Sequence, residues 1–438
     1  MRNFFNLNNN NRDNRDNLIV TYEAKKKELL SKSKKDRVIA TVIVLVCFVL
    51  VTFVLERRDA AELQSSPEDS LMHFVRHEEA SADLFFTFAV ESFAQSVNGL
   101  SLALFDREEV LLKLMHGYAD SAAGMPVDSD TVFEWASITK LFVWISVIQL
   151  YEQGLLDLNA DIFAYLPQED FQGIVYPTTM HHLMHHMAGF EITDVVIDDF
   201  HRWYFVPYGE PFPTLGEFVR EVFYEGAVKQ RYYPGERFIY SNFGTALAGY
   251  IIERISAMPF YEYVHRYIFM PLNMYQTAIA PDLSDNPWVS ERRDLVRINN
   301  PYLDPSQNRF NIPGYPMGSI AGTVSDMILF GRELLSLQYG ESRLFANPQT
   351  AVGLFPSYDK IHMAAGTGNP YFNGFMLFSI YPRILGHSGG NIGFTSVLLL
   401  DVDNGRGLIL GENSHRGLLN STAFVQGLFE IVFKCQRW

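Results

Sequence analysis

Phe133-Glu-Trp-Ala-Ser-Ile-Thr-Lys-Leu-Phe-Val143 sets a polar quartet, Ser137-Ile-Thr-Lys140, at the mouth of an apolar run. Read as a helix, the run extends from Ser137 to Gln153, with Gly154 placed to end it. Positions i and i+3 share a helix face, so the Ser137 hydroxyl and the Lys140 amine become neighbours. A serine is a weak nucleophile until a base removes its proton, and a lysine at the positive end of a helix can stabilise the alkoxide. The Ser-x-x-Lys pattern also occurs at Ser31–Lys34 and Ser357–Lys360. Its surroundings therefore decide which copy matters.

Working outward, Gly99–Phe105 and Val110–Met115 are apolar runs joined by Asp106-Arg-Glu-Glu109 and read as a hairpin. Before them, Ser70–Val97 carries helical periodicity. From about 155 to 335 the chain reads as helix and loop, rich in proline and aromatics. Strands return at Phe375–Tyr381, Phe394–Asp401 and Gly407–Leu410, with Asp403-Asn-Gly405 as a turn between the last two. A final helix spans about Thr422 to Phe433. Strands at both ends with helices between predict an α+β fold: one sheet built from the two ends, and a helical insertion between them. The cleft between those parts is the expected site.

Two further motifs follow Ser137 in order. Tyr240-Ser-Asn242 lies in Tyr233-Pro-Gly-Glu-Arg-Phe-Ile-Tyr-Ser-Asn-Phe-Gly244, and His387-Ser-Gly389 lies in Gly386-His-Ser-Gly-Gly-Asn-Ile-Gly-Phe394. Each has a second copy, at Tyr371–Asn373 and His415–Gly417. The order Ser-x-x-Lys, Tyr-x-Asn, His-x-Gly resembles the serine β-lactamases and penicillin-binding proteins, nearest the class C-like branch with its DD-carboxypeptidases, D-aminopeptidases and esterases. Thr179-Met-His-His-Leu-Met-His-His-Met-Ala-Gly-Phe190, Pro271-Leu-Asn-Met274 and Gly318-Ser-Ile-Ala-Gly-Thr-Val-Ser-Asp326 also resemble that family's flanking segments. The resemblance spans about 75–438. It implies a β-lactamase-like fold and an acyl-enzyme on Ser137, with Lys140 sharing the proton and Tyr240 relaying it to the leaving group. It further implies that Asn242, His387 and Gly389 contact substrate, and that the Ser137 and Gly390 N–H groups form the oxyanion hole.

One departure bears on the substrate. The lactamase-type third motif is Lys-Thr-Gly, where this chain has His-Ser-Gly. A histidine is mostly neutral at pH 7, so a fixed charge for a β-lactam carboxylate is missing. D-alanyl peptides or esters of the cell envelope are the expected substrates, with β-lactamase as an alternative. Gly386-His-Ser-Gly-Gly390 also matches the G-x-S-x-G elbow of α/β-hydrolases, which would make Ser388 the nucleophile. That elbow requires a strand–turn–helix, whereas a strand-like run follows here. His181, His182, His185 and His186 include two i,i+4 pairs, a spacing that can hold zinc, but no Glu follows the first His as in H-E-x-x-H. No metal or cofactor is expected. An inactive membrane-tethered binding module is the non-enzymatic alternative.

The 438-residue chain is 48% hydrophobic with a net charge of −15. Residues 1–37 carry ten Lys/Arg and five Asp/Glu, so the remainder carries −20. An acidic body argues against a nucleic-acid partner. Val38–Leu55 is eighteen residues without a charge, close to the ~20 a membrane-spanning helix needs. Lysines crowd its N-terminal side, which predicts a cytoplasmic tail (1–37), a span (38–55), a linker (56–70) and an extracytoplasmic hydrolase domain (71–438). A cleaved signal peptide would need a small-residue site, and Glu56-Arg-Arg-Asp59 is a poor one. The two cysteines, Cys47 and Cys435, make no disulfide framework.

Overall fold

The hairpin Asp106-Arg-Glu-Glu109 is closed by a side chain: Asp106 Oδ1 accepts the backbone N–H groups of Glu108 and Glu109. The strands it joins begin the main sheet. The structure is a computed structural model, and it describes residues 73–76, 98–198, 203–298, 308–365, 370–380 and 382–414. All of these fall in one compact unit, Ser70–Glu79 with Ala94–Asn420. The basic tail, the apolar run 38–55 and the expected final helix lie outside the described residues. Among the described residues, no helix is long and apolar enough to cross a membrane.

The main strands are β1 (His73–Arg76), β2 (Gly99–Asp106), β3 (Val110–Asp120), β4 (Met125–Pro126), β5 (Tyr371–Phe372), β6 (Phe375–Ser379), β7 (Ile384–Asn391), β8 (Phe394–Asp401) and β9 (Arg406–Glu412). They form one sheet in the order β1-β3-β2-β9-β8-β7-β6-β5, with β4 added to β3. Every pairing is antiparallel. The two ends of the chain meet at β2 and β9, where Leu102 faces Leu410 and Phe105 faces Gly407. This is the α+β sheet the sequence predicts. One local expectation is corrected: His73–Arg76, inside a segment read as helical, is a strand paired with Leu112–Met115. Sheet pairing outweighs a weak local periodicity. The β8–β9 turn forms as expected, with Asp401 Oδ1 accepting the Asp403 and Asn404 N–H groups and Gly405 at φ +69°.

Helix α1 (Thr139–Glu152) is buried continuously from Thr139 to Leu150. A helix that is apolar all round sits inside a protein, and this one has no polar face to turn outward until Tyr151. Helix α5 (Val324–Leu337) lies on β2 and β9. It approaches closely because Gly331 and Gly407 both press on the Phe105 ring, where an added Cβ would come within 2.4 and 2.3 Å. Phe142 of α1 stacks on Phe330 of α5 with ring centroids 4.0 Å apart. Between α1 and α5 lie α2 (Met180–Met184), α3 (Leu215–Tyr224), α4 (Asn242–Ser256) and two small sheets, and a third small sheet joins Phe133–Glu134, before α1, to Ala321–Gly322 and Thr277–Ala278. A Thr214–Glu217 capping box opens α3, and Ser241 caps α4 by accepting the Gly244 N–H.

Candidate active site

Ser137 sits on a 3-10 turn, Ala136–Ile138, that leads into α1 two residues later. Ala136, immediately before it, has φ +47°. Such a conformation costs a non-glycine residue about 1–3 kcal/mol and persists only where its surroundings enforce it. Here they do. Thr139 Oγ1 donates to Ala136 O and accepts from Ile320 N, Trp135 N donates to Ile320 O, and Ser396 Oγ donates to Trp135 O. The nucleophile turn is thus pinned to the sheet and to the inserted region together.

Lys140 is completely buried. Its Nζ lies 2.9 Å from Ser137 Oγ and donates to the Met317 carbonyl. Both of these partners are uncharged, and burial pushes its pKa well below the ordinary 10.5. A neutral amine has a lone pair to offer, so this geometry suits a base for the Ser137 proton. Tyr240 stands on the other side. Its ring centroid is 5.2 Å from Lys140 Nζ, and the nearby Ser137 side chain acts to lower the pKa of its phenol. Although 37% of its surface is open, protein crowds the hydroxyl. Desolvation and the neighbouring Tyr371 raise its pKa far above 10, against the smaller lowering effect of Ser137. The phenol therefore holds its proton and can donate it.

The His387 motif lies on β7. Strand β6 pairs with β7 only as far as Gly386, so along His387–Asn391, which pairs with β8, the opposite edge of β7 has no strand beside it among the described residues. Gly389 packs against the nucleophile: an added Cβ would lie 2.4 Å from Trp135 O and 3.0 Å from Ser137 N. Gly390 has nothing within 4 Å of that position. His387 itself is 2% exposed, with Nδ1 donating to Ser388 O. Burial, and secondarily Lys140, lower its pKa to about 3. Its ring is neutral at pH 7. Asn242, the first residue of α4, gives its side chain to Tyr204. Ser388 lies mid-strand opposite Val397, so the α/β-hydrolase elbow is ruled out by the absence of a strand–turn–helix there.

The histidine cluster resolves into separate tasks. Helix α2 stops at Met184, and His186 has φ +53°, which breaks the i,i+4 alignment of His182 with His186, whereas the His181 and His185 rings stay stacked at 4.1 Å between centroids. His182 Nδ1 accepts from Thr179 N as part of a capping box. His185 uses Nδ1 on His181 O and accepts Asn373 N–H at Nε2. His186 joins the site instead, its ring 4.4 Å from Tyr240 and 4.8 Å from Tyr371 between centroids. Tyr371 is 5.9 Å from Tyr240 and 5.7 Å from His387. The sequence offered His186 only as a possible zinc ligand and gave no sign of Tyr371. Tyr371 belonged to the second Tyr-x-Asn copy, which looked like noise. The Ser357–Lys360 copy is surface: Ser357 Oγ accepts the Lys360 N–H at the start of a short helix.

Glu134 and Asn391 were also unforeseen. Buried Arg293 donates to Glu134 Oε1 at 2.7 Å, and Glu134 Oε2 accepts from Asn391 Nδ2 at 3.0 Å. Asn391 also reaches Gly318 O, so this chain fixes the far end of β7 to the inserted region.

Known proteins are similar to this chain in sequence and fold. The Bacillus subtilis protein named penicillin-binding protein 4* is 23% identical over 77% of this chain and 72% of its own length. The human mitochondrial serine beta-lactamase-like protein LACTB is 24% identical over 75% and 72%. Among solved structures, D-amino acid amidase from Ochrobactrum anthropi SV3 covers 78% of this chain and 95% of its own at 24% identity, with a TM-score of 0.60. The beta-lactamase/D-alanine carboxypeptidase from Pseudomonas syringae covers 82% and 100% at 19%, with a TM-score of 0.59. The model of the family described as Beta-lactamase matches residues 74–418, which takes in every residue of the site above, and the chain belongs to the β-lactamase family.

Proposed function

We propose that this chain is a serine hydrolase that opens amide or ester bonds through an acyl-enzyme on Ser137. The observation that carries the reading is Lys140: buried, with a lowered pKa, and 2.9 Å from the Ser137 oxygen. Ser137 Oγ attacks the carbonyl carbon as its proton passes to Lys140 Nζ. The oxyanion is held by the Ser137 and Gly390 N–H groups, each worth about 3 kcal/mol where such donors are preorganised. Tyr240 gives its proton to the departing nitrogen or oxygen and recovers one from the Lys140 ammonium. This leaves acyl-Ser137, a neutral amine and a neutral phenol, and water reverses the sequence.

The substrate follows from His387. A neutral ring, buried and turned onto Ser388 O, offers no fixed charge to a carboxylate beside the scissile bond. D-alanyl or other small amides and esters without that carboxylate are favoured over β-lactams and over peptides with a free C-terminus. The lysine-flanked run Val38–Leu55 supports a single-pass anchor, with the hydrolase outside the cytoplasm.

The test compares a D-alanyl ester, a D-amino acid amide, a D-Ala-D-Ala peptide and a cephalosporin on the full chain, beside Ser137→Ala. Turnover of the first two, abolished in the variant, is expected. Full activity in Ser137→Ala would sink the mechanism, and a preference for the peptide or cephalosporin would sink the substrate class.

A further inference from the structure

His186 lies outside the three motifs, yet it holds the middle one from three sides. Its main-chain carbonyl accepts the Ile239 N–H at 2.8 Å. Its ring Nδ1 accepts the Ser241 N–H at 3.2 Å. The ring itself packs on the Tyr240 phenol at 4.4 Å between centroids, tilted by 40°. Both backbone neighbours of Tyr240 are therefore tied to the residue that supports its ring.

The ring is in turn fixed. Trp144, Phe238 and Tyr371 meet it edge to face, and it is 2% exposed. The backbone φ of +53° is one that histidine adopts more readily than most residues. Nδ1 can accept only while it carries no proton, which places the proton of a neutral ring on Nε2. Burial first, then Lys140, His387 and His185, keep the ring uncharged.

We propose that His186 is the positioning residue of this site: by fixing residues 239–241 it sets the Tyr240 phenol where it can protonate the leaving group. The inference rests on the proton-donor role given to Tyr240 above. It separates two substrates with the same acyl group. A p-nitrophenyl ester expels a phenolate that needs no proton, whereas the matching anilide expels a nitrogen that must receive one.

The test measures kcat and KM on both substrates for the full chain, His186→Phe and His186→Asn. Phe keeps an aromatic ring and loses the acceptor. Asn places Oδ1 where Nδ1 stood and tolerates positive φ. A displacement of about 1 Å in a reacting group costs on the order of 100-fold. His186→Phe is expected to lose about 100-fold in kcat on the anilide and far less on the ester, with KM little changed. His186→Asn is expected to restore most of the anilide rate. Equal losses on the two substrates, or no loss in His186→Phe, would overturn the positioning role and leave the proposed reaction standing. A folded wild-type chain that hydrolyses neither substrate would overturn both.

Discussion

Gly389 offers the sharpest test of how the site is built. A methyl group there would lie 2.4 Å from Trp135 O, 2.5 Å from Ser396 Oγ and 3.0 Å from Ser137 N. Two of these atoms are backbone, and Ser396 is held by its bond to Trp135 O, so no flexible tip can swing aside. Ordinary contact begins near 3.4 Å, so Gly389→Ala forces β7 and the nucleophile turn apart by about 1 Å. That distance opens the gap between the two N–H groups proposed as oxyanion donors. A misplacement of this size costs about 100-fold in rate, or about 2.7 kcal/mol on the barrier. Overpacking should also remove about 1–3 kcal/mol of stability. Gly390→Ala, one residue along, meets nothing within 4 Å and should change stability by less than about 0.5 kcal/mol. Urea unfolding supplies the stabilities, and the rate of fluorophosphonate labelling at Ser137 supplies the kinetics. A folded Gly389→Ala that labels at the wild-type rate would refute the packing of β7 on the nucleophile.

Other outcomes follow from the buried charges. Lys140→Met should lose about 10²–10⁴-fold in turnover. Because the folded pKa of Lys140 lies below 10.5, the unfolded chain binds the extra proton, and wild-type stability rises with pH up to that value. Relative to Lys140→Met, the wild type should gain at most about 1.4 kcal/mol per pH unit in that window, and urea unfolding at pH 7 and 9 would show no difference in trend if the amine were charged. His387 works the same way at lower pH: its folded pKa of about 3 lies below 6.5, so its contribution is lost as pH falls from 6.5 toward 3. His387→Phe should therefore unfold less readily in acid relative to wild type, and an unchanged acid midpoint would contradict the buried neutral ring. Arg293→Ala strands Glu134 and should cost about 3–5 kcal/mol, measured by denaturant midpoint. A loss below about 1 kcal/mol would mean that the Arg293–Glu134–Asn391 chain is not needed.

The Ser137–Lys140 pair was legible because i,i+3 spacing survives the change from an α-helical to a 3-10 first turn. The sheet from two chain ends was legible because its central strands are long apolar runs bounded by turn residues. The strain at Ala136 was not, since alanine carries no signal of positive φ and the forces holding it come from residues near 320 and 396. His186 and Tyr371 were hidden for a related reason. Their roles depend on α2 ending early and on β5 folding back, and both are set by tertiary contacts rather than local pattern. The i,i+4 spacing of His182 and His186 presumed a helix that continues, and the structure stops it at Met184.

The packing of Gly389 on the Ser137 turn has a consequence for when the proposed site is assembled. One wall is the turn at Ser137 and the other is β7, some 250 residues later in the sequence. Contacts of such long range form late in folding. A partly synthesised chain can carry Ser137, Lys140 and Tyr240 and still lack β7, and with it the pocket proposed for the oxyanion. Reactivity is therefore tied to closure of the sheet, and a nascent or truncated chain stays chemically silent toward the amides and esters around it.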